Sequence, residues 1–241
     1  MSDKKIIAVV GATGAQGGGL ARAILNDPSG GFAVRAITRD VNSDKARALA
    51  KLGAEVVARD VDDEASLQRA FQGAYGAYCV TFFWAHFSPE KEKAEAAAMA
   101  RAAQAAGVKH VIWSTFEDTR LLVPLSDNRM PTLQGKFKVP HFDGKAECNA
   151  EFTKLGLPVT LLLTSFYWDN LIYFGMGPRK GADGQLGFPG ADDLGNMFQY
   201  KHDFEKEYCG ARSLAFSRSL NPALQTFAAW LAANKARIPV Q

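Results

Sequence analysis

The sequence predicts an α/β protein built on a doubly wound parallel sheet. Short apolar segments rich in β-branched residues alternate with longer segments whose apolar residues recur at helical spacing. The first short segment leads through a glycine-rich turn directly into a helical pattern. Repeated alternation of this kind is typical of a parallel sheet with helices on both faces. The 241 residues are enough for one large α/β domain with a small appendage.

Local signals set the bounds of the predicted elements. Ser88 and Pro89 form a typical helix start, Asp143 can cap a later helix, and Gly53 and Gly107 follow helical segments as C-cap residues do. We predict strands at residues 6–10, 33–38, 55–59, 77–81, 110–114 and 158–163. We predict helices at residues 20–25, 43–52, 64–71, 90–106, 144–155, 192–200 and 224–234. Long loops are expected at residues 115–140 and 175–190, and a turn at residues 60–63.

Charge and composition argue against several classes of protein. The net charge of +3 is small and no basic run occurs, so nucleic acid is not an expected partner. No apolar segment approaches the length of a membrane span, and the first strand starts too early for a signal peptide to precede it. We therefore expect no membrane partner and a cytoplasmic location, with the nucleus as a further compartment. Cys79, Cys148 and Cys209 lack the spacing of a disulfide framework or zinc site, so buried free thiols and no metal are expected.

The turn after the first strand has glycines at the spacing Gly-x-x-Gly-x-x-Gly, namely Gly11, Gly14 and Gly17. Gly11 lets the chain leave the strand sharply, Gly14 leaves room for a phosphate, and Gly17 lets the helix pack close to the sheet. The following helix offers unpaired backbone N–H groups and the positive end of its dipole to a pyrophosphate. In this context of strand, turn and helix, the glycines predict a nucleotide site.

The residues after the second and third strands bear on the choice of nucleotide. Arg39 stands where an acidic residue would bind the ribose 2′-hydroxyl of NAD. A guanidinium at this position can clamp a 2′-phosphate, so Arg39 favours NADP. The adjacent Asp40 could serve NAD instead, and both alternatives stay open. Asp60, after the third strand, suits an adenine contact and a helix cap equally well.

The fourth strand ends at Thr81, and three aromatic residues follow it. Phe82, Phe83 and Trp84 cannot all face one core in an extended segment, because successive side chains point to opposite faces. Ligands bind at the carboxyl ends of the strands in a sheet of this kind. We therefore expect these aromatic residues to form a ligand wall or an interface.

Reductase chemistry is expected near the end of the fifth strand. Short-chain dehydrogenases/reductases pair a Ser or Thr there with a downstream Tyr-x-x-x-Lys, in which the Lys lowers the pKa of the Tyr for proton exchange. This chain has Ser114 and Lys145, but His141 occupies the position of the Tyr. His141 could donate a proton, and a structural or cofactor-gating role suits it equally well. Lys145 could hydrogen-bond the nicotinamide ribose.

Several stretches together resemble the NmrA-like family, an atypical branch of the short-chain dehydrogenase/reductase superfamily, and the resemblance is closest to its NADP(H)-sensing members. The most specific stretches are His-Phe-Asp-Gly-Lys at residues 141–145 and Gly-Phe-Pro-Gly-Ala at residues 187–191. The resemblance covers most of the chain and also includes residues 3–5, 11–18, 38–39, 53–57 and 193–198.

The resemblance implies NADP(H) as cofactor and a redox sensor with little or no dehydrogenase activity. Such a sensor binds regulatory protein partners according to the NADPH/NADP ratio, often as a homodimer. The implied cofactor contacts are Gly11, Ala12, Thr13, Gly14, Ala15, Gln16, Arg39, Asp60, Thr81, Phe82, Phe83, Lys145, Tyr167, Trp168, Asp169 and Asn170. This chain departs from the family at Ala94, where a cofactor-contacting Lys is usual, and by a shorter segment before residue 186.

We therefore expect a Rossmann-type NAD(P)-binding domain over residues 1–165 and a small, shortened C-terminal subdomain for a partner or substrate over residues 166–241. The alternative function is an NADPH-dependent reductase of a quinone or other carbonyl compound. In that case Lys145, with Ser114 or His141, would polarise the carbonyl or relay the proton while NADPH supplies the hydride.

Overall fold

A computed structural model describes residues 4–60, 63–187 and 193–240. The chain forms two compact units. The first comprises the described residues up to Asp118 together with His141–Leu162, and the second comprises Thr119–Pro140 and the described residues from Leu163 onward. The domain boundary predicted between residues 165 and 166 stays a prediction. Several predictions fall partly or wholly outside the described residues. They concern Asp3, the turn at 60–63, the loop at 175–190, residues 188–191 of the family-like stretch and the start of the helix predicted from 192.

The predicted parallel sheet is confirmed. Its six strands lie in the order β3-β2-β1-β4-β5-β6, so that β1 is central and the strand order reverses beside it. The register runs in parallel from Lys5 opposite Phe32 to Val10 opposite Ile37, and Thr38 lies opposite Ala58 on the next strand. The strands are β1 (Lys5–Val10), β2 (Phe32–Thr38), β3 (Glu55–Ala58), β4 (Gly76–Cys79), β5 (His110–Thr115) and β6 (Val159–Leu163).

Helices connect these strands, and the three predicted from residues 43, 64 and 90 begin within one residue of those positions. The predicted helix after β1 is too short, because the helix begins at Ala15 and not at residue 20. Ser43, Asp63 and Ser88 each accept a hydrogen bond from the backbone N–H three residues later, which satisfies a donor that the helix leaves unpaired. The helices are α1 (Ala15–Leu25), α2 (Asp44–Lys51), α3 (Glu64–Phe71), α4 (Pro89–Ala105) and α5 (Pro140–Thr153).

The predicted start of α5 is wrong by one turn. The helix begins at Pro140 and not at residue 144, so Asp143 lies in its first turn and is buried. Proline suits the first helical position because it has no N–H to leave unpaired and its φ angle is already helical. His141 and Lys145 therefore lie one turn apart on the same helix.

The core of the first unit lies on both faces of the sheet. Ala8 and Val10 of β1 face one apolar cluster, while Val9 between them faces the other, as the alternation of a strand requires. On the first face Trp113 of β5 stacks on Phe152 of α5, with ring centroids 4.8 Å apart. This packing holds the carboxyl ends of the central strands in fixed positions.

The second unit contains short helices and a small hairpin. The prediction of a loop over residues 175–190 is wrong in part. Two short strands, β7 (Arg179–Lys180) and β8 (Leu186–Gly187), pair in antiparallel register, and the turn between them contains Gly184 with a positive φ angle. The predicted terminal helices are confirmed with shifted bounds. The helices are α6 (Asn170–Tyr173), α7 (Asp193–Asp203), α8 (Glu205–Gly210), α9 (Leu214–Leu220) and α10 (Phe227–Asn234).

The predicted loop at 115–140 also contains order of its own. It includes a 3₁₀ turn at Thr119–Leu121 and a bridge between Leu133 and Phe137. Lys138 is fully buried, and its Nζ donates to the carbonyls of Asp127 and Met130 at 2.7 Å each.

Among the described residues, no helix has the length and apolar character needed to cross a membrane.

Candidate functional site

The glycine turn between β1 and α1 has the close packing that the sequence predicts. Gly11 has a φ angle of +65°, and its carbonyl accepts a hydrogen bond from the N–H of Gly14 at 2.8 Å. A Cβ atom on Gly17 would lie 2.5 Å from the same carbonyl oxygen, closer than real Cβ contacts allow. Gly11 and Gly17 are therefore required by the backbone itself, since L side chains rarely adopt the first conformation and do not fit at the second position.

The amino end of α1 is suited to an anion. Gly14 is the N-cap residue, and it has no side chain that could accept the N–H groups of the first turn. No acidic residue occurs in that turn, so the positive end of the helix dipole is not neutralised from within the helix. Thr13 Oγ1 lies 3.4 Å from Thr38 Oγ1 and thereby joins the turn to the end of β2. These features fit the pyrophosphate of a dinucleotide.

The structure brings the predicted residues Gln16 and Ser114 together. The fully buried Ser114 donates from Oγ to Gln16 Oε1 at 2.7 Å. The same oxygen accepts a hydrogen bond from the hydroxyl of Tyr78 on β4. Ser114 thus acts in this arrangement as a donor that fixes Gln16. Sequence reasoning missed Tyr78, whose position within an apolar strand gives no sign of this contact.

Arg39 and Asp60 line one cleft at the ends of β2 and β3. The cleft has a volume of about 230 Å³, and its other lining residues are Ala58, Arg59 and Ser66. Sequence reasoning considered Arg39 and Asp60 and missed Arg59. A signal was available, because Arg59 follows β3 just as Arg39 follows β2. The cleft is polar and basic, which suits the phosphorylated ribose end of a nucleotide.

Thr81 and Lys145 lie in a buried cluster with Glu92. Lys145 Nζ donates to Thr81 Oγ1 at 2.5 Å and is 2.8 Å from Glu92 Oε1. Thr81 Oγ1 donates in turn to the same carboxylate oxygen at 2.6 Å. Glu92 is fully buried, and its second oxygen has no hydrogen-bond partner among the described residues.

The contact with Glu92 holds the ammonium group of Lys145 in a buried ion pair. Burying two charges is favourable only when they are well paired, because each loses its hydration. Lys145 satisfies this condition by contacting both Thr81 and Glu92, and its ammonium is also 5.4 Å from the ring of Trp113. Sequence reasoning missed Glu92, since it lies in a charged stretch of α4 that resembles an ordinary solvated helix start.

His141 lies among aromatic rings. Its ring centroid is 4.9 Å from that of Trp84, 6.1 Å from Phe83 and 5.8 Å from Phe116. His141 is 5% exposed, whereas Phe82 is 61% exposed. Phe83 faces the interior, whereas Phe82 and Trp84 reach the surface, so the three side chains do not share one core. The expected ligand wall or interface stays a prediction.

Residues 167–170 belong to the second unit. The indole N–H of Trp230 donates to the carboxylate of Asp169 at 3.1 Å, and Trp168 packs edge to face on Phe227. Asn170 begins α6. The cofactor contacts implied for these residues and for Tyr167 stay predictions.

The cysteines agree in part with the expectation of buried thiols. Cys79 and Cys148 are buried, and burial raises the pKa of each thiol from 9.0 to about 12. Cys209 is exposed, so the expectation is wrong for that residue. It lies on the short helix α8, where apolar burial is incomplete. Within the described residues no group of His, Cys, Asp and Glu side chains could hold a metal ion.

The fold and the glycine turn at the carboxyl edge of its central strand define a Rossmann-type α/β protein. The model of the NmrA-like family matches residues 3–208, and this chain belongs to that family. The NmrA-like family domain-containing oxidoreductase FrzB of Cladobotryum sp is 43% identical over 114 residues, which are 46% of this chain and 33% of FrzB.

Solved structures include both a regulator and a reductase. The negative transcriptional regulator NmrA, solved in complex with NADP, matches with a TM-score of 0.60 and 27% identity over 77% of this chain and 53% of NmrA. Triphenylmethane reductase of Citrobacter sp., solved with NADP(H), matches with a TM-score of 0.54 and 25% identity over 71% of this chain and 53% of the reductase. The chain thus spans about a third of FrzB and about half of each solved protein.

Proposed function

We propose that this chain binds NADP(H) along the carboxyl edge of its sheet. The observation that carries the proposal is the uncapped amino end of α1, with Gly11, Gly14 and Gly17 before it and the basic cleft of Arg39 beside it. The turn would hold the pyrophosphate and Arg39 the 2′-phosphate. The NADP complexes of NmrA and triphenylmethane reductase support this proposal by similarity.

The proposed role is a redox sensor that regulates protein partners, with little or no dehydrogenase activity. Lys145 is committed to Thr81 and Glu92, and the position of the usual catalytic Tyr is filled by His141, which lies among aromatic rings. Proton exchange with a substrate needs a group within hydrogen-bonding reach of the reacting atom and of suitable pKa. His141 is only 5% exposed, so a substrate has little access to its imidazole.

In this proposal the bound cofactor orders residues 115–140 and 166–174, and a regulatory protein or a second copy of the chain reads the altered surface. Linkage requires only that one conformation bind the cofactor better than the other. A cytoplasmic or nuclear location is part of the same proposal. The bound nicotinamide would supply redox state as the signal, while the chain's own residues hold and orient it.

A second candidate is an NADPH-dependent reductase of a quinone or other carbonyl compound. The names of FrzB and of the Citrobacter enzyme favour it, as does the exposed face of Phe82 and Trp84 beside His141. Lys145 would then polarise the substrate carbonyl, with Ser114 or His141 in the proton path.

Calorimetric titration with NADPH, NADP⁺ and NADH, followed by NADPH absorbance in the presence of quinones, distinguishes these functions. We expect 2′-phosphate-dependent binding that Arg39→Ala weakens about tenfold or more, because a charge-assisted hydrogen-bond pair is lost. Binding without turnover supports the sensor. Turnover that Lys145→Met abolishes while NADPH binding is kept supports the reductase, and absence of binding contradicts both functions.

A further inference from the structure

The ends of β2 and β3 bring two arginines side by side. Thr38 pairs with Ala58 in parallel register, and the backbone N–H of Arg59 donates to the carbonyl of Thr38 at 2.9 Å. Arg39 and Arg59 are the next residues on the two strands, whose backbones lie about 4.8 Å apart in a sheet. Both residues line the same cleft of about 230 Å³.

Two like charges at neighbouring positions of adjacent strands repel each other. The sheet has another arginine whose charge is fully used: Arg35 donates to Glu55 at 2.8 Å and to the carbonyls of Ala70 and Gln72. Arg59 differs. It donates to the neighbouring carbonyl of Ala58, and its buried Nε has no acceptor among the described residues.

Asp60 determines how much the charge of Arg59 matters for the net charge of the cleft. It lines the same cleft, so its carboxylate opposes any anion that binds there. Arg39 and Asp60 alone would leave the cleft without net charge, whereas Arg59 leaves it with one net positive charge. A phosphate monoester carries about −1.5 to −2 charges at neutral pH, so this difference decides whether the cleft attracts it.

We infer that Arg59 is a second specificity-determining residue for the 2′-phosphate of NADP(H). The inference rests on the proposed function and deepens it. Two guanidinium groups on adjacent strand ends can approach one phosphate from two sides, and each can donate two hydrogen bonds. An NAD-type ribose offers no charge to either group, so the contribution of Arg59 is specific to the phosphorylated cofactor.

Titration calorimetry with NADPH and NADH tests the inference on the full chain, Arg59→Gln, Arg39→Gln and the double variant. Arg59→Gln is expected to weaken NADPH binding about tenfold and NADH binding less than about twofold, because one charge-assisted contact is lost only with the phosphate. Lys109→Gln is the matched control. It removes one positive charge from an exposed residue just before β5, at the amino ends of the strands and away from the cleft at their carboxyl ends. We expect it to leave the ratio of NADPH to NADH affinity unchanged.

The ratio of the two affinities is measured within one preparation, so partial unfolding of a variant does not alter it. Competition by 2′,5′-ADP and 5′-AMP isolates the adenosine end, and Arg59→Gln is expected to weaken only the former. An unchanged NADPH to NADH ratio in Arg59→Gln overturns the inference and leaves NADP(H) binding intact. Binding of neither dinucleotide by the unaltered chain overturns the proposed function and the inference together.

Discussion

Single residues decide how charge is held inside the first unit. Glu92 is fully buried on α4, and the ammonium of Lys145 on α5 lies 2.8 Å from its carboxylate. A buried pair of this kind adds little stability relative to apolar residues of equal volume, but removal of one partner leaves an uncompensated charge. The pair therefore serves to fix Lys145 beside Thr81, which follows the end of β4 at Cys79 by two residues.

Glu92→Ala is expected to lower the free energy of unfolding by about 3 kcal/mol, because Lys145 then stays buried without its counter-ion. Urea denaturation of the unliganded protein measures this. Glu90→Ala in the exposed first turn of the same helix is the control and should lower stability by no more than about 1 kcal/mol, because it removes an exposed contact with Ser88 and an interaction with the helix dipole. If combining Glu92→Ala with Lys145→Met restored none of the lost stability, the charge explanation would be wrong.

The cysteines differ in reactivity. Iodoacetamide at pH 8 is expected to modify Cys209 alone in the native protein and all three thiols after denaturation, since Cys79 and Cys148 are buried with pKa values near 12. Peptide mass mapping identifies the labelled residues. Rapid native labelling of Cys79 would contradict its burial.

The same thiols set a pH dependence. Because their pKa values are raised from 9.0 to about 12 in the folded state, the unfolded chain ionises first as pH rises. Their contribution to stability is therefore complete below about pH 9 and falls progressively toward pH 12. Denaturation at pH 8 and pH 10 of a Cys79→Ala, Cys148→Ala variant and the unaltered chain checks this. The difference between the two pH values should be smaller in the variant.

At the scale of elements, α1 depends on close approach to β1. Gly17 is buried at this contact, whereas Gly19, two residues along the helix, has no atom within 4 Å of where a Cβ would lie. The two glycines therefore differ in purpose. Gly17 allows α1 to pack closely against the turn after β1, whereas Gly19 makes no such contact and only adds conformational freedom to the unfolded chain.

Gly17→Ala is expected to lower the free energy of unfolding by about 1–3 kcal/mol, because the new methyl group pushes α1 away from the turn. It should also weaken NADPH binding, since the N–H groups of the first turn move with the helix. Gly19→Ala is the matched control and should raise stability by up to about 1 kcal/mol through helix propensity. Denaturant unfolding and calorimetry measure both effects. Equal stability changes in the two variants would contradict the packing argument.

At the scale of the whole molecule, the sensor proposal needs cofactor binding to alter residues that do not form the glycine turn. We expect saturating NADPH to slow backbone hydrogen exchange in the β1–α1 turn and also in residues 115–140 and 166–174. Mass spectrometry of proteolytic fragments measures each segment separately. Arg39→Ala at the same NADPH concentration is the control and should show less protection throughout. Protection limited to the turn and the ends of β2 and β3 would contradict the sensor mechanism and leave binding intact.

Much of the first unit could be predicted because its signals are local. The bounds of α3, the helix start at Ser88 and the alternation of strand and helix follow from side chains that act within a few residues of one another. The start of α5 was misplaced because Asp143 and Pro140 are both acceptable helix starts in sequence. The β7–β8 hairpin was missed because its two-residue strands have no measurable periodicity.

Local patterns along the chain were enough to predict the alternating fold and the glycine turn, and to name Arg39, Thr81 and Lys145 as candidate site residues. The folded chain was needed to see that Glu92 pairs with Lys145, that Gln16 accepts hydrogen bonds from Ser114 and Tyr78, and that Arg59 shares a cleft with Arg39. The physical reason is that local pattern reports interactions between neighbours along the chain. Pairing of charges and hydroxyls depends on strand register and helix packing, which join residues far apart in sequence.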